Sequence, residues 1–156
     1  MPKRSAGILM YRRAVLGLEL LLVHPGGPFW KKRDAGAWSI PKGEYSAGED
    51  PLAVAVREFE EEIGARLAGE FRPLGDVVQK GGKIVAAWAV EGDLDPATIR
   101  SNTFEIEWPP KSGRKAAFPE VDRAGWFSPD EAREKILSSQ RPFIARLEER
   151  IARRAG

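Results

Sequence analysis

Three glutamates in the segment 43–65, GEYSAGEDPLAVAVREFEEEIGA, are spaced so that they can hold a metal ion. Glu61 and Glu62 follow Glu58 by three and four positions, which places all three on one face of a helix. Two carboxylates about 4 Å apart near a protein surface repel by about 4 kcal/mol at an effective dielectric of about 20. Mg²⁺ relieves such repulsion because it binds a few carboxylates together with phosphate oxygens. The spacing therefore indicates a metal site, and a solvated acidic helix face is the alternative.

The residues around these glutamates predict the helix that carries them. Asp50 is a residue type preferred at an N-cap, Pro51 suits the first helical position, and Gly64 suits the C-terminal end. Apolar residues recur between them at spacings of four, three and four, which gives the helix one packing face. That face consists of Leu52, Val56, Phe59 and Ile63.

The same segment resembles the Nudix box, the pattern G-x5-E-x7-R-E-U-x-E-E-x-G-U, in which U is a bulky aliphatic residue. Its seven fixed positions are filled by Gly43, Glu49, Arg57, Glu58, Glu61, Glu62 and Gly64. Phe59 and Ala65 depart mildly from the hydrophobic positions, on the packing side of the pattern. Because a match at seven fixed offsets is specific, the chain is identified as similar to the Nudix hydrolase superfamily.

The resemblance implies a role for each polar residue of the box. Glu58 and Glu62, with help from Glu61 and the carbonyl of Gly43, are expected to hold one to three Mg²⁺ or Mn²⁺ ions. Arg57 is expected to orient the acidic residues by charge pairing. The implied reaction is metal-assisted hydrolysis of a nucleoside diphosphate linked to another group.

The resemblance also implies a further glutamate in a loop just before the final strand. Glu120, six positions before Trp126, suits that place, and Glu105 and Glu107 are its rivals. In different branches of the family this residue is a metal ligand or the general base. Either Glu61 or Glu120 is therefore expected to take the proton of the attacking water.

Several cationic residues are candidates for contact with substrate phosphates. Lys42 belongs to the sequence W-S-I-P-K-G, which resembles Nudix branches that act on highly phosphorylated nucleotides. Lys32 and Arg33 belong to a basic triplet with Lys31, which is consistent with phosphate attraction or with a solvated loop. Residues 109–115, PPKSGRK, form either a specificity lid or a mobile surface loop.

The substrate that we favour is a small-molecule nucleotide, either a nucleoside triphosphate or a dinucleoside polyphosphate. ADP-ribose and other sugar nucleotides come second. Residues 80–83, KGGK, lack both the tyrosine of one diadenosine-polyphosphate branch and the proline associated with ADP-ribose pyrophosphatases. A non-catalytic Nudix module that binds nucleotide or RNA is the alternative from another class, and the intact acidic set argues against it. Many relatives are dimers, so a homodimer is compatible with the resemblance.

Hydrophobic patterning predicts the elements that position these residues. Strands are predicted at 4–13, 18–24, 71–79, 83–91 and 103–108, a short strand at 38–40, and helices at 51–63, after Ser128 and at 139–154. Together with the resemblance, this order predicts an α/β fold of the Nudix type, an α/β/α sandwich around a curved mixed β-sheet. Residues 1–156 are treated as a single domain.

Two interpretations of single residues depend on burial. His24 is the only histidine and ends the second predicted strand, so we favour a structural role or a substrate contact over metal ligation. In the last helix Phe143 and Leu147 are expected to face inward, and Arg146 is expected to face mostly outward with its neighbouring arginines. We favour a solvated basic face there, and a nucleic-acid partner is not expected.

The composition is that of a globular domain. The 156 residues are 42% hydrophobic and 31% charged, with a net charge of +2. The absence of cysteine excludes disulfides and thiolate metal sites. No apolar run approaches the roughly 18 residues of a membrane span, and the N-terminal apolar stretch is too short for a signal peptide. We therefore expect a cytoplasmic protein without a membrane partner.

Overall fold

A six-stranded mixed sheet forms the centre of the molecule, with α-helices on both of its faces. The structure is a computed structural model that describes residues 2–155 of the chain, with side chains to residue 153. The main strands are β1 (Arg4–Ala14), β2 (Gly17–Pro25), β3 (Lys42–Tyr45), β4 (Arg72–Val78), β5 (Ile84–Glu91), β6 (Thr103–Glu107), β7 (Lys115–Pro119) and β8 (Val121–Phe127). The helices are α1 (Pro51–Ile63), α2 (Pro129–Lys135) and α3 (Arg141–Ala155).

Strand β1 pairs with two strands, β2 and β3, along one of its edges. Along its other edge it pairs in parallel with β5, in the sheet order β4-β5-β1-β2-β8. Its second half pairs with β2, where Tyr11 lies opposite Leu20. Its first half pairs with β3, where Gly7 lies opposite Lys42. Since β2 and β3 occupy successive parts of one edge, the sheet splits between them and leaves a cleft.

The side chains of β1 alternate between two hydrophobic cores, as a strand buried on both faces requires. Leu9 and Tyr11 pack in a cluster that also holds Phe143, Ile144 and other residues of α2 and α3. Ile8 and Met10 point the other way, into a cluster with residues of α1. Helices on opposite faces of one mixed sheet confirm the predicted sandwich.

Helix α1 has the boundaries that the sequence predicts, but its buried face is Val54, Ala55, Phe59 and Ile63, whereas the predicted Leu52 and Val56 are only partly buried. Asp50 accepts a hydrogen bond from the backbone N–H of Ala53 at 3.3 Å, and Gly64 ends the helix in the left-handed conformation, with a φ of 81°. Phe59 and Ile63 are fully buried against the sheet. The opposite side of α1 is therefore free to carry the glutamates.

The prediction of a short strand at 38–40 is wrong, and the local chemistry explains why. Trp38 and Ser39 form only single bridges, to two different elements. The N–H of Ile40 is taken by the side chain of Gln140 at 3.1 Å, and Pro41 has no N–H to donate. A continuous ladder cannot form there, so the strand β3 begins only at Lys42.

The outward position predicted for Arg146 is also wrong. Its guanidinium is half-buried and donates from Nη1 to the carbonyl oxygens of Leu74 at 3.0 Å and Asp76 at 2.8 Å. These two carbonyls belong to β4, so Arg146 links α3 to the sheet edge. Phe143 and Leu147 face inward as predicted, with no exposed surface.

Strands β6 and β7 pair only with each other, as a hairpin separate from the main sheet. Residues 108–114 connect them. The hairpin lies beside the connection between β2 and β3, since Trp108 packs against Phe29 of that connection. The connection also includes the basic triplet. None of the helices within the described residues is long and apolar enough to cross a membrane.

Candidate active site

A cavity of about 230 Å³ occupies the cleft at the split in the sheet. Glu62 from α1, Lys42 from β3 and Glu120 from the β7–β8 junction all line it. Its remaining walls are largely apolar and come from the end of β2, from residues 37–40, and from Trp30, Val121 and Leu137. The fold thus brings together carboxylates and a lysine that are up to 78 positions apart, from Lys42 to Glu120.

Glu62 is the most strongly perturbed of these carboxylates. Its pKa is raised from 4.5 to about 8, mainly by burial and then by repulsion from Glu58, while the charge of Lys42 opposes both effects. Its Oε2 atom is buried without a hydrogen-bond partner among the described residues. A buried carboxylate oxygen without a donor is costly, so it calls for a cation or a proton.

Glu58 and Glu120 are perturbed in the same direction. The pKa of Glu58 is raised mainly by burial and then by Glu61, while Arg57 opposes the shift. The pKa of Glu120 is raised by burial and by Glu61. The charge of Glu120 also acts on Glu58 and Glu62, so these carboxylates form one electrostatic cluster.

The main chain fixes Glu120 on both sides. Its N–H donates to the carbonyl of Asn102 at 2.8 Å, and its own carbonyl accepts from the N–H of Gly26 at 2.9 Å. Glu105 and Glu107, the rival candidates, are exposed on β6. Of the three, Glu120 is the one whose charge acts on the box glutamates, as the sequence position before the last strand predicts.

Gly43 leaves the space that Glu58 occupies. A Cβ atom built on Gly43 would lie 2.1 Å from Cδ of Glu58, closer than any two such atoms can approach. Glycine at this position therefore allows the Glu58 carboxylate to lie against the backbone of β3. The Gly43 backbone and the acidic cluster consequently come together as the resemblance implies.

These residues fit a hard divalent cation. They supply oxygen ligands, one of which is unpartnered and buried, and their negative charges raise one another's pKa in addition to the larger effect of burial. In the described part of the chain, no three Asp, Glu or His side chains are already arranged around a single point where an ion could sit. Binding would therefore require the carboxylates to change rotamer and converge.

Arg57 lies between two acidic residues of the box. Its guanidinium nitrogens are 3.7 Å from Glu49 and 3.7 Å from Glu58. Glu49 in turn accepts hydrogen bonds from the N–H and the hydroxyl of Ser46, at 2.9 and 3.0 Å, which lower its pKa. Arg57 thus lies within ion-pair distance of both Glu49 and Glu58, and its role in orienting the cluster stays a prediction.

The three cations predicted to contact phosphate differ in position. Lys42 is half-buried in the cleft, and burial together with the charge of Lys83 lowers its pKa. Lys32 and Arg33 lie on the exposed loop, outside the described residues that line the cavity. The guanidinium of Arg33 lies 5.6 Å from the ring of Trp30. The structure therefore brings only Lys42 to the glutamates.

His24 holds the basic loop to the sheet. It is fully buried, with Nδ1 2.9 Å from Oδ1 of Asp122 and Nε2 2.5 Å from the carbonyl oxygen of Arg33. Both partners are acceptors, so both contacts are hydrogen bonds only when the ring is protonated. Its place at a strand end was a signal for a structural role, but nothing in the sequence named these partners.

Gln140 is a second buried polar residue that sequence reasoning missed. Its side-chain oxygen accepts from the N–H of Ile40 at 3.1 Å, and its Nε2 donates to Oγ of Ser39 at 3.3 Å. It has no exposed surface. Through these bonds Gln140, the residue before α3, holds the segment that leads into Lys42. No local pattern in the sequence predicts a contact across 100 positions.

Comparison with known proteins gives one family over nearly the whole chain. The model of the NUDIX domain matches residues 1–147. An RNA pyrophosphohydrolase of Rhodospirillum rubrum is 41% identical over 70 residues, which cover 43% of this chain and 41% of that protein. An octanoyltransferase of Myxococcus xanthus is 31% identical over 135 residues, 86% of this chain and 33% of that protein. The chain spans only about a third to two fifths of these relatives.

Two further matches concern dinucleoside tetraphosphate hydrolases. The asymmetrical bis(5'-nucleosyl)-tetraphosphatase of Rattus norvegicus is 30% identical over 103 residues, 58% of this chain and 66% of that protein. The structure of a C. elegans Ap4A hydrolase binary complex superposes with a TM-score of 0.65 at 20% identity, over 96% of this chain and 98% of that chain. This superposition shows that the two proteins share a fold.

Proposed function

We propose, from the premise that this chain belongs to the NUDIX domain family, that it is a divalent-metal-dependent pyrophosphohydrolase that cleaves a phosphoric anhydride bond in a nucleoside polyphosphate. The observation that carries the proposal is the electrostatic cluster of Glu58, Glu62 and Glu120, of which Glu62 and Glu120 line one cleft together with Lys42. Buried carboxylates that repel one another are costly to the fold, and a cation-binding role accounts for that cost.

The metal site in this proposal is built from the box. Glu58 and Glu62, with Glu61 and the Gly43 carbonyl, would hold Mg²⁺ or Mn²⁺. A bound divalent ion supplies neutralisation of phosphate charge and acidification of water. Support comes from the unpartnered Oε2 of Glu62 and from the space that Gly43 leaves for Glu58.

Three further residues act on the substrate or on the cluster. Glu120 is our choice over Glu61 as the residue that takes the proton of the attacking water, because Glu120 lines the cavity. Lys42 would pair with a phosphate oxygen deep in the cleft. Arg57 would hold Glu58 in place through its two ion pairs.

Lys32 and Arg33 have a more distant role in this proposal. They would attract the polyphosphate toward the cleft from an exposed loop, because His24 holds the backbone of that loop in place. This role predicts an effect on association that weakens with salt, whereas Lys42 should act on the bound substrate.

The proposed substrate is a nucleoside triphosphate or a dinucleoside polyphosphate. The W-S-I-P-K-G sequence supports this class, as do the names of the rat tetraphosphatase and the Rhodospirillum pyrophosphohydrolase. The name of the Rhodospirillum protein adds the 5'-triphosphate end of RNA to the substrates worth testing. Our sequence analysis does not expect a nucleic-acid partner. ADP-ribose remains the second choice. A cytoplasmic location, a homodimer and a single domain over residues 1–156 also stay predictions.

A panel of nucleotides tests the proposal. The protein is incubated with nucleoside triphosphates, diadenosine tetraphosphate, a 5'-triphosphorylated RNA and ADP-ribose, each with Mg²⁺, with Mn²⁺ and with EDTA. Mass spectrometry identifies the products. We expect metal-dependent cleavage of an anhydride bond in at least one polyphosphate. Binding without turnover on the whole panel would instead support the non-catalytic module.

A further inference from the structure

A second cavity, of about 480 Å³, lies between the loop that follows β2 and the β6–β7 hairpin. Its walls include Pro28 and Lys31 from the loop, and Trp108 and Phe118 from the hairpin. Its volume is about twice that of the cavity that holds the glutamates, which is about 230 Å³. The role of the box residues does not account for this space.

Aromatic rings from the hairpin and from the loop that follows β2 lie in and beside this cavity, which Trp108 and Phe118 line. Phe29 packs edge-on against Trp108, with ring centroids 5.5 Å apart and planes at 85°. Phe104 lies 6.2 Å from Phe118 in a tilted arrangement. Phe29 keeps 65% of its surface exposed, so the rings form a partly open aromatic surface. Aromatic faces beside a cation such as Lys31 are the chemistry that binds an unpaired nucleobase and its phosphate.

The walls of the two cavities come from the same two chain segments, with different residues lining each cavity. Pro25 and Trp30 line the first cavity, whereas Pro28 and Lys31, from the same loop, line the second. On the other side, Glu120 lines the first cavity and its neighbour Pro119 lines the second.

The two wall segments are in direct contact, so the cavities are neighbours. The N–H of Gly26 donates to the carbonyl of Glu120 at 2.9 Å. A Cβ atom on Gly26 would lie only 1.9 Å from the carbonyl oxygen of Pro119, so glycine allows this approach. A ligand whose phosphates lie beside Glu120 can therefore extend into the second cavity.

We propose that the second cavity is a subsite for a second nucleobase of the substrate, joined through phosphates to the anhydride that is cleaved. Trp108 and Phe118 stack on the base, and Lys31 pairs with an adjacent phosphate. This inference rests on the proposed function. The second base has two sources with the same chemistry, the distal nucleoside of a dinucleoside polyphosphate and the nucleotide that follows a 5'-triphosphate in RNA.

Substitution of Trp108 tests the subsite. Trp108→Ala should lower kcat/KM about 5- to 150-fold for a two-base substrate, mainly through KM, which is the fold-change that corresponds to the loss of one stacked base. Cleavage of ATP, which has no second base, should stay within about threefold. Trp108→Phe keeps an aromatic face and should retain most activity. Diadenosine tetraphosphate and 5'-triphosphorylated RNA are assayed separately, so the sensitive substrate identifies the source.

Equal losses on ATP and on the two-base substrates, or no loss on any of them, would overturn the subsite. Binding of diadenosine tetraphosphate and of the RNA is also measured in EDTA by calorimetry, which separates this inference from the proposed function. If the wild-type protein hydrolyses nothing but binds the two-base substrates, and Trp108→Ala weakens that binding, the subsite is supported and the hydrolase is rejected. Turnover of two-base substrates that Trp108→Ala leaves unchanged rejects the subsite alone.

Discussion

Replacement of Glu62 by glutamine should stabilise the metal-free protein at pH 8 and remove most of its turnover. Burial and the charge of Glu58 raise the pKa of Glu62 to about 8 in the folded state, from 4.5. Between these two pH values the folded state binds more protons than the unfolded state, so the free energy of unfolding falls as pH rises. Glutamine keeps the shape of the side chain and does not titrate, so the variant lacks this loss.

The magnitude follows from the two pKa values. A change from 4.5 to about 8 corresponds to at most about 5 kcal/mol of stability, present below pH 4.5 and lost by pH 8. For a domain of this size, that free energy corresponds to about 10–20 °C in Tm. The wild-type protein should therefore lose several kcal/mol relative to Glu62→Gln between pH 5 and pH 8.

Urea unfolding in EDTA at pH 5 and pH 8 measures the difference. Glu134→Gln, an exposed glutamate on α2, serves as the matched control and should follow the wild type. Saturating Mg²⁺ at pH 8 should restore wild-type stability by preferential binding to the folded state, and should stabilise Glu62→Gln less. Parallel pH profiles for wild type and variant, or turnover of the variant within a few-fold of wild type, would refute the assignment.

Three other substitutions test separate parts of the structure. Gly43→Ala should displace Glu58, because the new Cβ would lie 2.1 Å from its Cδ, and should lower kcat/KM about 10- to 100-fold; unchanged kinetics would show that Glu58 can move without cost. Gln140→Leu should cost about 1–3 kcal/mol in urea unfolding and raise KM, because the buried N–H of Ile40 loses its acceptor; unaltered stability would contradict that role. Arg146→Ala should also cost about 1–3 kcal/mol by removing two hydrogen bonds to β4, with kcat/KM unchanged; a loss of activity at full stability would instead place Arg146 near the site.

The parts of the site that the sequence predicts are those encoded locally. The Asp50 cap, the Gly64 end and the spacing of the glutamates lie within one short segment, and helix geometry converts that spacing directly into a shared face. Glu120 lies outside the segment, and its position ahead of the last strand identified it only through the resemblance. The structure then explains that position, since Glu120 at the β7–β8 junction and Glu62 of α1 line the same cavity.

The parts that the sequence could not predict depend on contacts between distant residues. Gln140 and Arg146 bond to residues 100 and about 70 positions away, and neither bond has a local signature. The 38–40 segment is rich in strand-forming residues, but the Gln140 side chain and Pro41 remove the hydrogen bonds that a strand requires. Local propensity was overridden by tertiary hydrogen bonding in each case.

The edge of β1 that is divided between β2 and β3 fixes the width of the cleft, because both flanking strands pair with one strand. Pairing with β2 extends to Tyr11 and pairing with β3 extends to Gly7, so the gap between them is set along β1. A shift of β1 by two residues would move β2 and β3 together by about 7 Å and would leave the distance between them unchanged. The connection between β2 and β3, by contrast, can lengthen or change composition without altering the separation of those strands, so the surface that the loop presents can vary while the geometry of the cleft stays the same.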